Sequence, residues 1–510
     1  MIMELNIGGF LRRAAERHGD KPALIFEGQK ISFRQLNTRV NRLARALLSL
    51  GARKGDKVGL LFFNSPEFVE SFLAAAKIGA IVVPLNFRLV GRELSYILNH
   101  SDSRFVFLGA DFSEVIRGIQ GNLGPVEKYI VAGDFSHPPM LRYERLIAKE
   151  VDEELGILVQ EEEEAAILYT SGTTGRPKGA VITHKNIIWN EINYIIDKDL
   201  RVSDVALLVS PMFHAGGLNN MLSHIFLGST LVLHRQFSPQ AVMEDIEKEK
   251  ITVLQTMAPT MYNLILQLPD LRRYNVSSVR SVMSGGAILP VETKRKIQEL
   301  FPGAGIQDSY GLTEVTSTGT ALKPEFALQK IACVGKPFFT LDARLVDEQG
   351  QDVAAGQVGE ILLRGPNVMK EYYKDSGATG ETLRGGWLHT GDLARKDAEG
   401  FLYIVDRKKD MIISGAENIY PREIEEVLYT HSKILEAAVI GVPDAVWGEA
   451  VKAVVVLKPG EKMTAAEVID FCKVNLASYK KPRSVDFVPE LPKTTSGKIA
   501  KMILRERYRG

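Results

Sequence analysis

The chain has 510 residues, 45% of them hydrophobic and 25% charged. Its 63 basic and 62 acidic residues nearly cancel, leaving a net charge of +1, so nothing points to nucleic acid or an anionic membrane as the main partner. Only two cysteines, Cys333 and Cys472, are present, which excludes a disulfide framework and suits a reducing, cytoplasmic setting.

The length predicts roughly three domains or subdomains. The first residues lack a basic segment followed by an apolar core, so no signal peptide is expected. The most apolar early stretch, 72–85, contains Lys77 and is too short to span a bilayer. Residues 33–50 carry a helical stripe of Leu36, Val40, Leu43, Leu47 and Leu50, ended by Gly51, and read as core packing. Predicted strands at 57–63, 80–83 and 104–108 alternate with helices at about 65–79 and 93–99, the pattern of a parallel α/β sheet. Residues 111–160 are less regular and lead to the acidic run 161–164, read as a solvated connection.

A strand over 165–169 then runs into Thr170-Ser-Gly-Thr-Thr-Gly-Arg-Pro-Lys178. Small residues let backbone N–H groups approach an anion, hydroxyls add donors, and Arg176 and Lys178 add charge, which is the composition of a phosphate-holding loop. It is not a P-loop, because Gly172 and Gly175 are three apart and Gly179, not Ser or Thr, follows Lys178. Alternation resumes with strands at 205–209, 230–233, 251–255 and 279–283 and helices at 239–250, 260–268 and 291–300. The segment Gln307-Asp-Ser-Tyr-Gly-Leu-Thr-Glu314 reads as a polar turn, where Tyr310 can cover a purine, Thr313 can donate to phosphate and Glu314 can hold Mg²⁺. From about 341 the pattern becomes strand-rich (341–346, 358–363). A short strand closed by the charges of 400–410 marks a boundary. Beyond it lie helices at 421–430 and 465–475, strands at 436–441 and 452–457, and a basic tail.

The string 169–180 resembles the phosphate-binding signature of the adenylate-forming superfamily, which comprises acyl- and aryl-CoA synthetases, adenylation domains and luciferases. Further motifs follow in order over about 165–500, and the whole is most like a stand-alone fatty-acid–CoA ligase. The resemblance implies an α/β fold: a large N-terminal ATP- and acid-binding body over 1–406 with a β-rich subdomain at about 330–406. A hinge at 407–410 and a small mobile α+β cap domain at 411–510 complete it. It implies ATP, Mg²⁺ and coenzyme A as cofactors and co-substrates, a small carboxylic acid as substrate, and no nucleic acid. A peripheral membrane contact and a homodimer stay open.

The resemblance also implies residue roles. Thr170, Ser171, Gly172, Thr173, Thr174, Gly175 and Lys178 hold phosphates. Gly286, Ala287, Asp308, Ser309, Tyr310, Gly311 and Thr313 border the nucleotide, and Glu314 is the metal ligand. In Trp387-Leu-His-Thr-Gly-Asp392, Asp392 takes the ribose hydroxyls. In the segment 406–425, Arg407 contacts ribose or phosphate and Lys409 is the pivot, while Ala416 stands where the family often has Gly. In Pro492-Lys-Thr-Thr-Ser-Gly-Lys498, Lys498 is the catalytic lysine of adenylation. In Ser210-Pro-Met-Phe-His-Ala-Gly-Gly217, His214 lies against the reacting carboxylate. Ala215, Gly216, Asn220, Gly285, Gly311 and Thr318 join His214 in the acyl pocket. Gly415, Trp447, Lys481 and Arg483 meet CoA.

The small residues 215–217 favour a deep pocket, hence a medium- or long-chain fatty acid first and an aryl or phenylpropenoic acid second. A carrier protein acting in trans, and a luciferase-like oxygenase, are the lesser alternatives.

Overall fold

The computed structural model describes residues 6–134, 139–170, 177–287, 289–414, 417–444, 446–494 and 499–508. The chain falls into two compact units: 1–343 with 363–389, and 344–362 with 390–510. The strands at 344–362 and 390–407 thus group with the C-terminal residues. The boundary at 407 expected from the charged cluster is not where these compact units divide.

Two sheets build the first unit. One runs in the order Glu371–Tyr372, Lys178–Thr183, Glu164–Thr170, Ile81–Pro84, Lys57–Leu61, Ser103–Gly109, Lys128–Ala132, Leu141–Arg142. Its pairs are parallel from Glu164–Thr170 onward, as the strand–helix alternation predicts, with Ile81–Pro84 and Lys57–Leu61 in a register such as Val58↔Val82. Val83, Leu85, Leu98, Val106, Ile116 and Ile167 pack together in its core. Glu164 opens a strand rather than belonging to a solvated link, and its carboxylate pairs with Lys370 at 2.7 Å.

The other sheet of this unit places Val205–Leu208, Val253–Met257, Ser281–Ser284 and Gly305–Tyr310 side by side in parallel. Helices cover it, burying Val242, Ile246, Leu254, Val282, Ile297 and Phe301. The stripe at 33–50 forms the helix Phe33–Ser49, and its N-terminus carries a capping box between Ser32 and Gln35, worth about 1 kcal/mol. Among the helices that lie where no helical stripe was read are Ile7–His18, His184–Asp197 and Ala215–Leu227.

In the second unit, Ile434–Asp444 and Gly448–Leu457 form a long antiparallel pair, flanked by Ile412–Ser414 and by Ser484–Phe487. The helices Pro421–Tyr429 and Ala465–Asn475 add Ile424, Leu428, Val468 and Cys472 to a core with Val439, Val451 and Val455. Both cysteines are buried and free, and among the described residues no helix is long and apolar enough to cross a membrane.

Candidate active site

Thr170 and Lys178 are direct partners across the antiparallel pair Glu164–Thr170 and Lys178–Thr183, and the Thr170 hydroxyl donates to the Lys178 carbonyl at 3.5 Å. Both described ends of the glycine–hydroxyl stretch are therefore strand, Lys178 opening Lys178–Thr183, whereas a P-loop opens a helix. Ser171, Gly172, Thr173, Thr174, Gly175 and Arg176 lie outside the described residues. The hairpin base is braced from the side: the Tyr169 hydroxyl lies 2.7 Å from His100 Nδ1, and the Tyr96 hydroxyl donates to the Pro177 carbonyl.

Lys178 sits over the Tyr372 ring, 5.2 Å from its centroid. The Tyr372 hydroxyl donates to Glu314 Oε1 at 2.6 Å. Burial, with the Glu314 carboxylate next, pushes the Tyr372 phenol well above its ordinary range, so it stays protonated and can donate to that carboxylate. Tyr372 reaches this place because Glu371–Tyr372 pairs along the edge of Lys178–Thr183, with Tyr372 opposite Ala180. The Met369 amide also donates to the Glu314 carbonyl at 2.8 Å. No motif contained Tyr372. Among the described residues no three His, Cys, Asp or Glu side chains form a metal cage. One oriented carboxylate, sharing Tyr372 with Lys178, fits Mg²⁺, which is commonly held by one or two carboxylates plus substrate phosphates.

The adenine border expected from Gly286, Ala287 and residues 308–310, the latter read as part of a polar turn, is in part strand. Gln307, Asp308, Ser309 and Tyr310 lie in Gly305–Tyr310, and Thr313 and Glu314 open a single 3₁₀ turn. Strand alternation separates the neighbours. Ser309 faces Gly285, where an added Cβ would meet the Thr256 methyl at 2.7 Å and Ser309 Oγ at 3.4 Å. Asp308 turns its carboxylate to Lys294 in a buried ion pair, with Lys198 on its carbonyl. Burial raises the Asp308 carboxyl and lowers Lys198 to about 8. Gly286 has φ +79° and open space around its missing Cβ, and Ala287 beside it is exposed. Gly311 is fixed by packing instead, since a Cβ there would lie 1.8 Å from the Ser317 carbonyl oxygen. Ser317 itself has φ +109° and Thr316 φ +58°, a strained turn held by the Thr316 hydroxyl on the Asn367 carbonyl at 2.7 Å. Thr318 is buried directly after it.

His214 occupies the N-cap of the helix Ala215–Leu227, its ring 4.2 Å from that of Phe213. Asn64 clamps the preceding loop, accepting from the Met212 amide and donating to the Ser210 carbonyl. The three small residues that follow have different causes. Gly217 has no room for a side chain, since a Cβ would lie 2.1 Å from the Pro211 carbonyl oxygen, while Gly216 faces open space and Ala215 is half-buried. One turn beyond Gly216, Asn220 is buried with Oδ1 3.0 Å from the Tyr194 hydroxyl.

Within the second unit, Asp392 and Arg407 are cross-strand partners in Leu388–Lys396 and Leu402–Arg407, with Nε 3.3 Å from Oδ1. Thr390-Gly391-Asp392 is thus strand, with Gly391 at φ +71°. Glu360, absent from every motif, accepts from the Gly391 amide and pairs with Lys408. Lys409 lies in the next turn, where burial, then Arg407, lowers its ammonium. Arg505 anchors the end of that turn at Asp410, 2.8 Å. The Arg483 guanidinium stacks on Trp447 at 4.7 Å, and Lys481 is half-buried, bonded to the Ser478 carbonyl. Gly415 and Lys498 lie outside the described residues.

Comparison with known proteins gives the family of the chain. The AMP-binding enzyme family pattern matches residues 11–373 and that of the AMP-binding enzyme C-terminal domain matches 423–498. A feruloyl-CoA synthase of Amycolatopsis sp is 37% identical over 503 residues, covering 98% of this chain and 99% of that protein. The long-chain-fatty-acid–CoA ligase FadD13 of Mycobacterium tuberculosis is 35% identical over 510 residues, covering 99% and 98%. The crystal structure of an anthranilate CoA ligase, AuaEII, in complex with anthranoyl-AMP superposes with a TM-score of 0.92 at 31% identity, over 100% of this chain and 98% of that one. The chain belongs to the AMP-binding enzyme family, in its adenylate-forming acid–CoA ligase branch. It is an AMP-forming acid–thiol ligase that takes ATP, Mg²⁺ and CoA.

Proposed function

We propose that this ligase activates an aryl or phenylpropenoic acid. The carboxylate oxygen attacks the α-phosphorus of ATP and pyrophosphate leaves. The CoA thiolate then attacks the acyl carbon of the adenylate and AMP leaves. Positioning and charge neutralisation do most of such work. The hairpin loop 170–178 would hold phosphates, Glu314 would hold Mg²⁺, which supplies charge neutralisation on phosphate oxygens, and Asp392 would take the ribose. Lys498 would bind carboxylate and α-phosphate oxygens, and His214 would border the acid. Movement about Lys409 would exchange Lys498 for the CoA face of Gly415, Trp447, Lys481 and Arg483.

The observation that carries the aryl reading is the polar cluster one turn past Gly216. Asn220, Tyr194, Gln255 and His224 are all buried there, bonded to one another. Methylenes pressed on Asn220 would leave its buried Nδ2, which has no partner in the structure, without a hydrogen bond, at about 1–3 kcal/mol. The small residues 215–217 alone favoured fatty acids, but Gly217 is explained by the Pro211 carbonyl rather than by a tunnel. A medium- or long-chain fatty acid is the second reading, supported by the likeness to FadD13 over nearly the whole chain. A cytoplasmic setting belongs to the same proposal, supported by the two free thiols.

Pyrophosphate release measured across fatty, aromatic and dicarboxylic acids, with and without CoA, tests it. Aryl acids should give the highest kcat/KM. A preference for acyl chains of twelve or more carbons would overturn the aryl reading and leave the ligase class standing.

A further inference from the structure

The carboxylate expected to hold Mg²⁺ sits at the entry to a strained turn. Glu314 and Val315 lie in the 3₁₀ turn Thr313–Val315, and the next two residues have positive φ, Thr316 at +58° and Ser317 at +109°. Neither is glycine, and a β-branched residue such as Thr316 rarely adopts that region. Such a conformation persists only where its surroundings over-determine it, and it collects at functional sites. The turn also lies directly on Gly311, at the expected nucleotide border, where an added Cβ would stand 1.8 Å from the Ser317 carbonyl oxygen.

A fully buried side-chain amide, that of Asn367, holds this turn. Its Nδ2 donates to the carbonyls at both ends, Val315 at 3.2 Å and Thr318 at 3.3 Å, with Asn190 Oδ1 further off at 3.5 Å. The Asn367 backbone carbonyl accepts from the Thr316 hydroxyl at 2.7 Å. The residues on either side of Asn367 are fixed as well, because Asn186 Nδ2 donates to the Pro366 and Val368 carbonyls, each at 2.8 Å. Asn186 belongs to the capping box of His184–Asp197, so this line of bonds ends on a helix. Further along the same segment the Met369 amide donates to the Glu314 carbonyl, and the Tyr372 hydroxyl donates to its carboxylate. Residues 366–372 thus grip Glu314 through backbone and side chain alike. An amide nitrogen brings two protons to two carbonyls; Ala brings none, and a carboxylate would set oxygen against oxygen.

We infer that Asn367 is a positioning residue for the metal-binding carboxylate: it holds the turn 315–318 in its strained form and so fixes the direction in which Glu314 leaves the backbone. It acts through the turn and takes no part in the chemistry. Partners behind a ligating carboxylate commonly account for about 10–100-fold in metal affinity, because they decide whether the ligand is already aimed when the ion arrives. This inference rests on the reading of Glu314 as the Mg²⁺ ligand.

The test is calorimetric binding of α,β-methylene-ATP, with and without Mg²⁺ and in the absence of acid and CoA. It compares the wild type with Glu314→Gln, Asn367→Ala, Thr316→Val and Thr316→Ser. The ratio of the two Kd values measures how far Mg²⁺ tightens nucleotide binding, whatever fraction of a variant is folded. Glu314→Gln should lower that ratio about tenfold or more. Asn367→Ala should lower it about fivefold or more, the scale of a lost hydrogen bond. Thr316→Val should move it in the same direction, and Thr316→Ser, which keeps the hydroxyl, should hold the wild-type value. An Asn367 that merely stabilises the fold would lower the melting temperature and leave the ratio unchanged. A ratio that falls in Glu314→Gln but not in Asn367→Ala overturns the inference while Glu314 stays the ligand. Should Asn367→Ala not fold, Thr316→Val decides in its place. A ratio unmoved in Glu314→Gln removes the ligand reading and the inference with it.

Discussion

The Tyr372 hydroxyl donates to the Glu314 carboxylate at 2.6 Å across 58 residues of sequence, with Lys178 over the face of the same ring. One aromatic side chain thus ties Lys178, at the start of its strand, to the expected metal ligand. A hydrogen bond to a charged group contributes about 1.5–3 kcal/mol, and here it sets which way the carboxylate points. Tyr372→Phe should raise the Mg²⁺ concentration for half-maximal pyrophosphate release about tenfold or more. An unchanged Mg²⁺ titration would show that Glu314 needs no such orientation.

The two half-reactions should separate genetically. Lys498→Ala should lower pyrophosphate–ATP exchange by about a hundredfold or more, the usual scale for loss of one electrostatic stabiliser. Lys409→Pro should spare that exchange and cripple thioester formation. Equal losses in both steps for Lys409→Pro would remove the pivot from the account.

The stack of Arg483 on Trp447 brings a flat ring and a cation together from positions 36 residues apart. Trp447→Ala should raise KM for CoA several-fold, in line with about 0.5–2 kcal/mol for a cation–π pair, and leave adenylation alone. A CoA titration of the second step against exchange in the first distinguishes this from general damage.

Buried histidines make the fold acid-sensitive. Burial lowers His184 and His224 from 6.5 to about 4. Between those values the unfolded chain binds protons that the folded one refuses, so stability present above pH 6.5 is lost as pH falls towards 4. The loss approaches about 3 kcal/mol for each group. The melting temperature should therefore fall steeply from pH 6.5 to 4, and less steeply in His184→Asn. A pH-independent melting temperature over that window would contradict the burial of both rings.

The parallel strands were legible because their apolar runs alternate with amphipathic helices. Candidate site residues could be named from the sequence where they sit within one short motif, as with Thr170 and Lys178 or Asp392. What escaped has physical causes. The helix His184–Asp197 buries Asn190, Glu191 and Asn193 beside its isoleucines, which breaks the apolar stripe, although its Thr183–Asn186 capping box was a usable signal. Tyr372 sits in a two-residue edge strand, too short to have a period. Glu360 acts from 31 residues before Gly391, through a contact that only strand pairing creates. The Gln307–Glu314 stretch looked like a turn because its polar residues mask a strand buried on both faces.

The most direct test of the central claim is product stoichiometry with ATP, Mg²⁺, CoA and an aryl or phenylpropenoic acid. The account predicts one AMP and one pyrophosphate for each acyl-CoA formed, with pyrophosphate exchange into ATP that needs the acid but not CoA. Formation of ADP and phosphate, or exchange that proceeds without the acid, would contradict it.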